Sequence, residues 1–258
     1  MIIENCQVFE SRISYTDAFE KAVREEYTPT NFSAAMKRRI TAIREESKEK
    51  HPLNVIAATK FGSRDVRWLW IEQHLDTIDG IAYFKDKVKI VPDYFDSLDK
   101  LSNIDSDKNV HLTSSEYCKL EGKEFTQEYL NERARVGEYN SPRQAIENPV
   151  WQILARDQSL LEEYICTIYP VITKNFAGFR SDLAAIGEIN LSGKGMGVLL
   201  YYIHPNANPP FYEPIIQPVA LSSLNHWTDL IRSQIQSDLT SRPTIQGGSR
   251  IIGIKERK

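Results

Sequence analysis

The sequence predicts an α+β protein in which antiparallel β-hairpins form a sheet packed against several amphipathic helices. Three observations predict this class: segments with helical apolar spacing, short apolar runs joined by polar turns, and no regular alternation of strand with helix. The chain has 258 residues, of which 41% are hydrophobic and 26% charged, the balance of a folded protein with a sizeable core. We therefore expect a single mixed α/β domain over residues 1–258.

The first part of the chain, residues 1–50, is predicted to be a helical subregion. Ser14 and Asp17 have the spacing of an N-terminal cap pair, and apolar residues at helical spacing follow them. Pro29 separates this helix from a second one, whose charges of both signs indicate a solvated face. The apolar stripe of the second helix consists of Met36, Ile40 and Ile43.

The middle of the chain contains further helices with clear start signals. Thr113 and Glu116 have capping-box spacing, in which each side chain accepts a hydrogen bond from the other residue's backbone amide. Ser141 and Gln144 repeat this spacing around a first-turn proline. Two more helices are predicted to start at Asn148 and Asp157, with the inward residues Val150, Trp151, Leu154, Leu160, Leu161, Tyr164, Ile165 and Ile168.

Short apolar runs predict two hairpins. Residues 81–84 and 88–91 flank the turn Lys85-Asp86-Lys87, and residues 188–191 and 196–203 flank a glycine-containing turn. The remaining predictions are a strand at 53–58, a helix over 63–75, a polar loop at 99–109, a proline-rich loop at 205–218, a helix over 225–239 and a strand at 250–255.

Charge and cysteine content argue against several classes of protein. The formal net charge is -3, whereas a dedicated nucleic-acid binder usually carries a basic face. Cys6, Cys118 and Cys166 are too widely spaced to form a zinc cluster or a CxxC pair. The sequence shows no secretory signal and no apolar run long enough to cross a bilayer. We therefore expect a cytoplasmic protein with no membrane partner.

The common catalytic motifs are missing from the sequence. It has no P-loop, no dinucleotide-binding glycine motif, no serine-nucleophile elbow and no zinc-protease motif. Lys194 lies between Gly193 and Gly195, and backbone amides there would suit an anion that the lysine neutralises. The same glycines are also typical of a tight hairpin turn. Lys194 is therefore a candidate ligand-binding residue, with a hairpin turn as the alternative.

The segment 201–227 contains the leading candidate site, because polar groups that follow a sheet strand are held by a rigid scaffold. His204, Glu213 and His226 supply two imidazoles and one carboxylate, which suit a divalent metal or acid/base catalysis. The alternative is a proline-braced turn without a site. Candidate residues for binding a small molecule or peptide in this segment are Tyr202, Asn206 and Tyr212.

Acidic residues at the first hairpin form a second candidate site. Asp79 precedes the hairpin and Asp93 follows it, and such carboxylates hold Mg²⁺ in many nucleases. Lys87 or Lys89 would help to position the attacking water. The pattern is incomplete, because a lysine stands where the second acid belongs, and solvated acids at a hairpin end are the alternative.

Three classes of function therefore remain open, and the sequence does not decide whether the chain is an enzyme. The first is an intracellular enzyme acting on a small molecule or peptide through the 201–227 segment. The second is a Mg²⁺-dependent nuclease that uses Asp79 and Asp93. The third is a non-catalytic binding or assembly protein. The convergence of polar groups after a buried strand favours the first class.

Overall fold

The computed structural model describes residues 6–11, 13–48, 75–106, 108–134, 139–168, 195–200, 211–221, 236–241 and 249–255. Its strands are β1 Cys6–Ser11, β2 Thr28–Pro29, β3 Leu75–Lys85, β4 Lys87–Val91, β5 Val110–His111, β6 Lys123–Thr126, β7 Tyr139–Asn140, β8 Gly195–Leu200, β9 Phe211–Leu221, β10 Gln236–Ser241 and β11 Ser249–Ile254. Its α-helices are α1 Tyr15–Arg24, α2 Phe32–Lys48, α3 Ser114–Lys119, α4 Gln127–Arg133, α5 Pro142–Glu147, α6 Pro149–Ala155 and α7 over 158–168, and a short 3₁₀ helix spans Leu98–Leu101.

All of these strands belong to one mixed sheet, so the α+β class is confirmed. Strands β3 and β9 form its centre and run antiparallel along most of their length. Along the edge that faces away from β9, β3 pairs with β11 and β4. Along the edge that faces away from β3, β9 pairs with β10 and β5. The pairs β3–β11 and β8–β10 are parallel. The sheet is therefore not built from antiparallel hairpins alone.

The predicted proline-rich loop is wrong over residues 211–218, because the central strand β9 occupies them. Pro214 and Pro218 are both buried there. Pro218 pairs with Gly80 beside a shift in register between β3 and β9, and prolines are tolerated in strands at such irregularities. The Pro214 carbonyl accepts a hydrogen bond from the Leu112 amide at 2.8 Å. Long-range pairing thus overrides the local turn signal of the prolines.

Three other boundaries also differ from the prediction. The N-terminal subregion is not wholly helical, because β1 pairs with β11 from Cys6–Ile254 to Ser11–Ser249. Leu75 begins a strand instead of ending a helix. Residues 236–239 lie in β10, although the predicted helix extended over them. In each case the segment acquires a strand partner distant in sequence, which a local pattern cannot show.

Apolar cores cover both faces of the sheet. Because successive side chains of a strand point to opposite faces, Ile81 and Tyr83 join one core while Ala82 joins the other. Helices α2, α6 and α7 contribute to the first core through Phe32, Met36, Ile40, Trp151, Leu154, Leu161, Tyr164 and Ile168. Helices α1 and α3, the 3₁₀ helix and the turn that precedes it contribute to the second through Tyr15, Ala18, Phe19, Tyr117, Leu101 and Phe95.

The predicted helix starts in the middle of the chain are confirmed. Both capping boxes are formed, Thr113 with Glu116 before α3 and Ser141 with Gln144 before α5. The Asn148 side chain caps α6, and Asp157 accepts hydrogen bonds from the first amides of α7. The inward residues predicted for these two helices, Val150, Trp151, Leu154, Leu160, Leu161, Tyr164, Ile165 and Ile168, are all buried.

The first hairpin has the predicted strands and a tighter turn. Phe84 pairs with Lys87, so that Lys85 and Asp86 alone form the turn. The first strand of the second predicted hairpin, at 188–191, lies outside the described residues, as do the predicted strand at 53–58 and the predicted helix before Leu75. In the part of the chain that the structure describes, no helix is both long and apolar enough to span a membrane.

Candidate functional site

Asp79 is the centre of a buried ionic cluster where β3 meets α2 and the end of β4. Its side chain is fully buried, and its oxygens accept hydrogen bonds from the Phe32 amide at 2.6 Å and the Asp93 amide at 2.8 Å. The Arg156 guanidinium donates a third hydrogen bond at 2.5 Å. One carboxylate thus joins the first turn of α2, the turn after β4 and the C-terminal end of α6.

Arg156 connects both aspartates of the candidate nuclease site. Its Nη1 lies 2.9 Å from a carboxylate oxygen of Asp93, while Nη2 contacts Asp79. The Asn31 side chain donates to the other Asp93 oxygen at 3.3 Å. Arg156 and Asp93 have φ angles of 63° and 55°. This left-handed conformation is unfavourable for residues other than glycine. We call this group of Asp79, Asp93 and Arg156 the Arg156 clamp.

In the Arg156 clamp, burial and ion pairing shift the pKa values of Asp79 and Arg156 in opposite directions. Burial raises the pKa of the Asp79 carboxyl, against the opposing effects of Arg156 and two backbone amides. Although burial lowers the pKa of Arg156, the hydrogen bond with Asp93 and the charges of both carboxylates raise it overall. A guanidinium stays protonated at all ordinary pH values, so Arg156 supplies the clamp with a permanent positive charge.

The structure therefore brings Asp79 and Asp93 together but gives them a protein cation as partner. A Mg²⁺ ion shared by the two carboxylates would have to take the position of the guanidinium between them. Among the described residues, no group of three or more histidine, cysteine, aspartate or glutamate side chains is arranged to hold a metal.

The lysines of the nuclease hypothesis have structural partners. The Lys87 ammonium lies 2.8 Å from a carboxylate oxygen of Glu124, so that the two side chains bridge β4 and β6. Lys89 is buried and donates hydrogen bonds to the carbonyl oxygens of Tyr117 and Leu120, at 3.0 Å and 3.4 Å. Both lysines thus join β4 to neighbouring segments of the fold.

A second buried ion pair lies at the N-terminal end of β3. The Lys108 ammonium is 3.0 Å from one oxygen of Asp76 and 3.1 Å from the other. The Arg250 amide of β11 also donates to Asp76, at 3.3 Å. This pair fixes the connection between the 3₁₀ helix and β5 against the sheet. Asp76 is therefore part of the framework where β3 and β11 run side by side.

Most residues of the leading candidate site fall outside the described part of the chain. This is the case for Tyr202, His204, Asn206 and His226, and also for Lys194, the separate candidate at the glycine-containing turn. Glu213 lies in β9 with an exposed side chain, and Tyr212 precedes it in the same strand. The flanking residues Leu200 and Phe211 belong to β8 and β9 of the one sheet. The hypothesis that this segment binds a ligand thus stays a prediction.

Sequence reasoning missed the two cations that complete the buried pairs, Arg156 and Lys108. The helix ending before Asp157 was predictable, but the left-handed C-cap that directs Arg156 toward Asp79 was not. Lys108 lies in a polar segment predicted as a loop, where a lysine is expected in solvent. Neither pairing had a local sequence signal, because Lys108 is 32 residues from Asp76 and Arg156 is 77 residues from Asp79.

The fold and the buried pairs together define an α+β framework with one mixed sheet covered on both faces. No protein-family model and no curated protein matches the sequence. A solved structure described as "Accommodation of massive sequence variation in Nanoarchaeota by the C-type lectin fold" is similar, with a TM-score of 0.56 and 11% sequence identity. The match covers 97% of this chain and 97% of that one. At this identity the likeness shows the fold alone.

Proposed function

We propose that this chain is a non-catalytic binding protein that recognises a small molecule or peptide on a framework of the C-type lectin type. The observation that carries the proposal is the likeness in fold over 97% of both chains at only 11% identity. For the similar structure, the fold is said to accommodate massive sequence variation. Such a framework suits recognition, because binding contacts can be exchanged one at a time whereas catalysis needs fixed groups in fixed geometry.

The buried ion pairs support this division between framework and recognition surface. Arg156 holds Asp79 and Asp93, and Lys108 holds Asp76, so these carboxylates stabilise the packing of distant segments. Removing one partner of such a pair is strongly destabilising, which makes these residues poor candidates for a surface that varies. Recognition is then a property of side chains on the connections between strands, where functional residues are commonly found.

We place the recognition surface on the segment that connects β8 to β9 and on the residues that border these two strands. Its flanking residues, Leu200 and Phe211, belong to strands of the same sheet, so the segment begins and ends on the framework. Tyrosines provide large contact areas with few rotatable bonds, and asparagine and lysine add polar and charged contacts. The proposed recognition residues are Tyr202 and Asn206 within this segment, Lys194 directly before β8 and Tyr212 at the start of β9.

An enzyme that uses His204, Glu213 and His226 is the second candidate. The observation that favours it is the exposed carboxylate of Glu213 on β9, one residue after Tyr212. In this version the two imidazoles and the carboxylate hold a divalent metal or act as acid and base. The substrate would again be a small molecule or peptide, so affinity alone does not separate the two candidates.

Selection of peptides from a random library displayed on phage, with the full chain as target, tests the binding proposal. We expect selected peptides to bind the wild-type chain and to lose about tenfold or more in affinity with Tyr202→Ala or Tyr212→Ala, because aromatic anchors dominate such contacts. Tyr129→Ala is the matched control, since Tyr129 is an exposed tyrosine of helix α4, and it should leave the affinity unchanged. Equal losses in all three variants would contradict the placement of the surface.

Elemental analysis of untagged protein separates binding from metal-dependent catalysis. The binding proposal expects no stoichiometric metal and unchanged peptide affinity in His204→Ala and His226→Ala. A stoichiometric metal that disappears in both variants would overturn it in favour of the enzyme. Mg²⁺-dependent cleavage of plasmid DNA or short RNA that is lost in Asp93→Asn would instead support the nuclease hypothesis.

A further inference from the structure

We draw no further inference here: the strongest candidate, the exposed ring of Tyr129 stacked on Phe125 beside strand β6 at the side of the sheet, carries nothing because nothing in the structure shows what covers it.

Discussion

At the scale of single residues, Arg156 combines an unfavourable backbone with favourable charge contacts. Its left-handed φ of 63° costs on the order of 1 kcal/mol for a residue with a side chain. Its guanidinium meets two carboxylates, one of them fully buried. The contacts with both aspartates offset this backbone cost. The clamp is therefore a sensitive point of the fold.

We predict a large loss of stability in Asp79→Asn, because this substitution breaks the Arg156 clamp. Asparagine keeps the size of the side chain but removes the charge, so Arg156 loses its buried partner. We expect the free energy of unfolding to fall by about 2–4 kcal/mol in urea titrations. The control is Glu147→Gln, which breaks the exposed pair with Arg143 and should change stability by less than about 1 kcal/mol. Similar small losses in both variants would mean that the clamp does not hold the fold.

We predict that the stability contributed by the α3 capping box depends on pH, because Glu116 is one of its two members. Its side chain accepts hydrogen bonds from the Thr113 amide and hydroxyl, each at 2.7 Å, and these lower its pKa from the ordinary value of 4.5. The stabilisation is therefore present above the unfolded pKa and is lost as the pH falls through the lower folded pKa. We expect a carboxyl titration by NMR to place Glu116 below 4.5, and Thr113→Ala to move it back toward that value. An unchanged pKa in that variant would contradict the hydroxyl contribution.

At the scale of elements, the connection between α3 and β6 passes unusually close to β4. A Cβ atom on Gly122 would lie 2.3 Å from the carbonyl oxygen of Ile90, which is a backbone atom that cannot move without disturbing the strand. Gly122→Ala should therefore lower the free energy of unfolding by about 1–3 kcal/mol. Glu121→Ala, one residue earlier on the exposed surface, should have little effect. A neutral Gly122→Ala would show that β4 and β6 are not held this close.

We predict a smaller loss of stability when the capping box of α5 is broken. The Ser141 hydroxyl accepts a hydrogen bond from the Gln144 amide, and the Gln144 side chain accepts one from the Ser141 amide at 2.9 Å. Ser141→Ala should cost about 1 kcal/mol of stability. Ser115→Ala, inside the first turn of α3 and exposed, removes the same hydroxyl without removing a cap and should be close to neutral. Thermal unfolding of both variants provides the comparison.

The elements that the sequence predicted well are those whose signals are local. Both capping boxes and the apolar faces of α6 and α7 could be identified from spacing alone, because each depends on residues within a few positions of each other. The strands β1 and β9 could not, since they depend on partners more than a hundred residues away in the chain. Pro214 and Pro218 even indicated a loop where the central strand lies.

At the candidate site, too, only contacts between residues close in the sequence could be predicted. Asp79 and Asp93 were placed together correctly, because the hairpin between them is local. Arg156 could not be added, because it approaches from a helix end 77 residues away and in a left-handed conformation. The sequence thus identified the two anions of the clamp, with Mg²⁺ or solvent as alternative partners, whereas the structure places the Arg156 side chain against both of them.

At the scale of the whole molecule, the framework and the proposed recognition surface are separate parts of the chain. The framework is the single mixed sheet with its two apolar cores and buried ion pairs. The surface is proposed on the connection between β8 and β9 and on the residues that border these two strands. This separation predicts that stability and affinity respond to different residues.

The affinity of one selected peptide for two variants tests that separation most directly, measured by calorimetry at a temperature where both variants are folded. We predict that Tyr212→Ala binds the peptide about tenfold or more weakly than the wild type, while Asp79→Asn binds it with unchanged affinity despite its lower stability. Loss of binding in folded Asp79→Asn, together with wild-type affinity in Tyr212→Ala, would contradict the account.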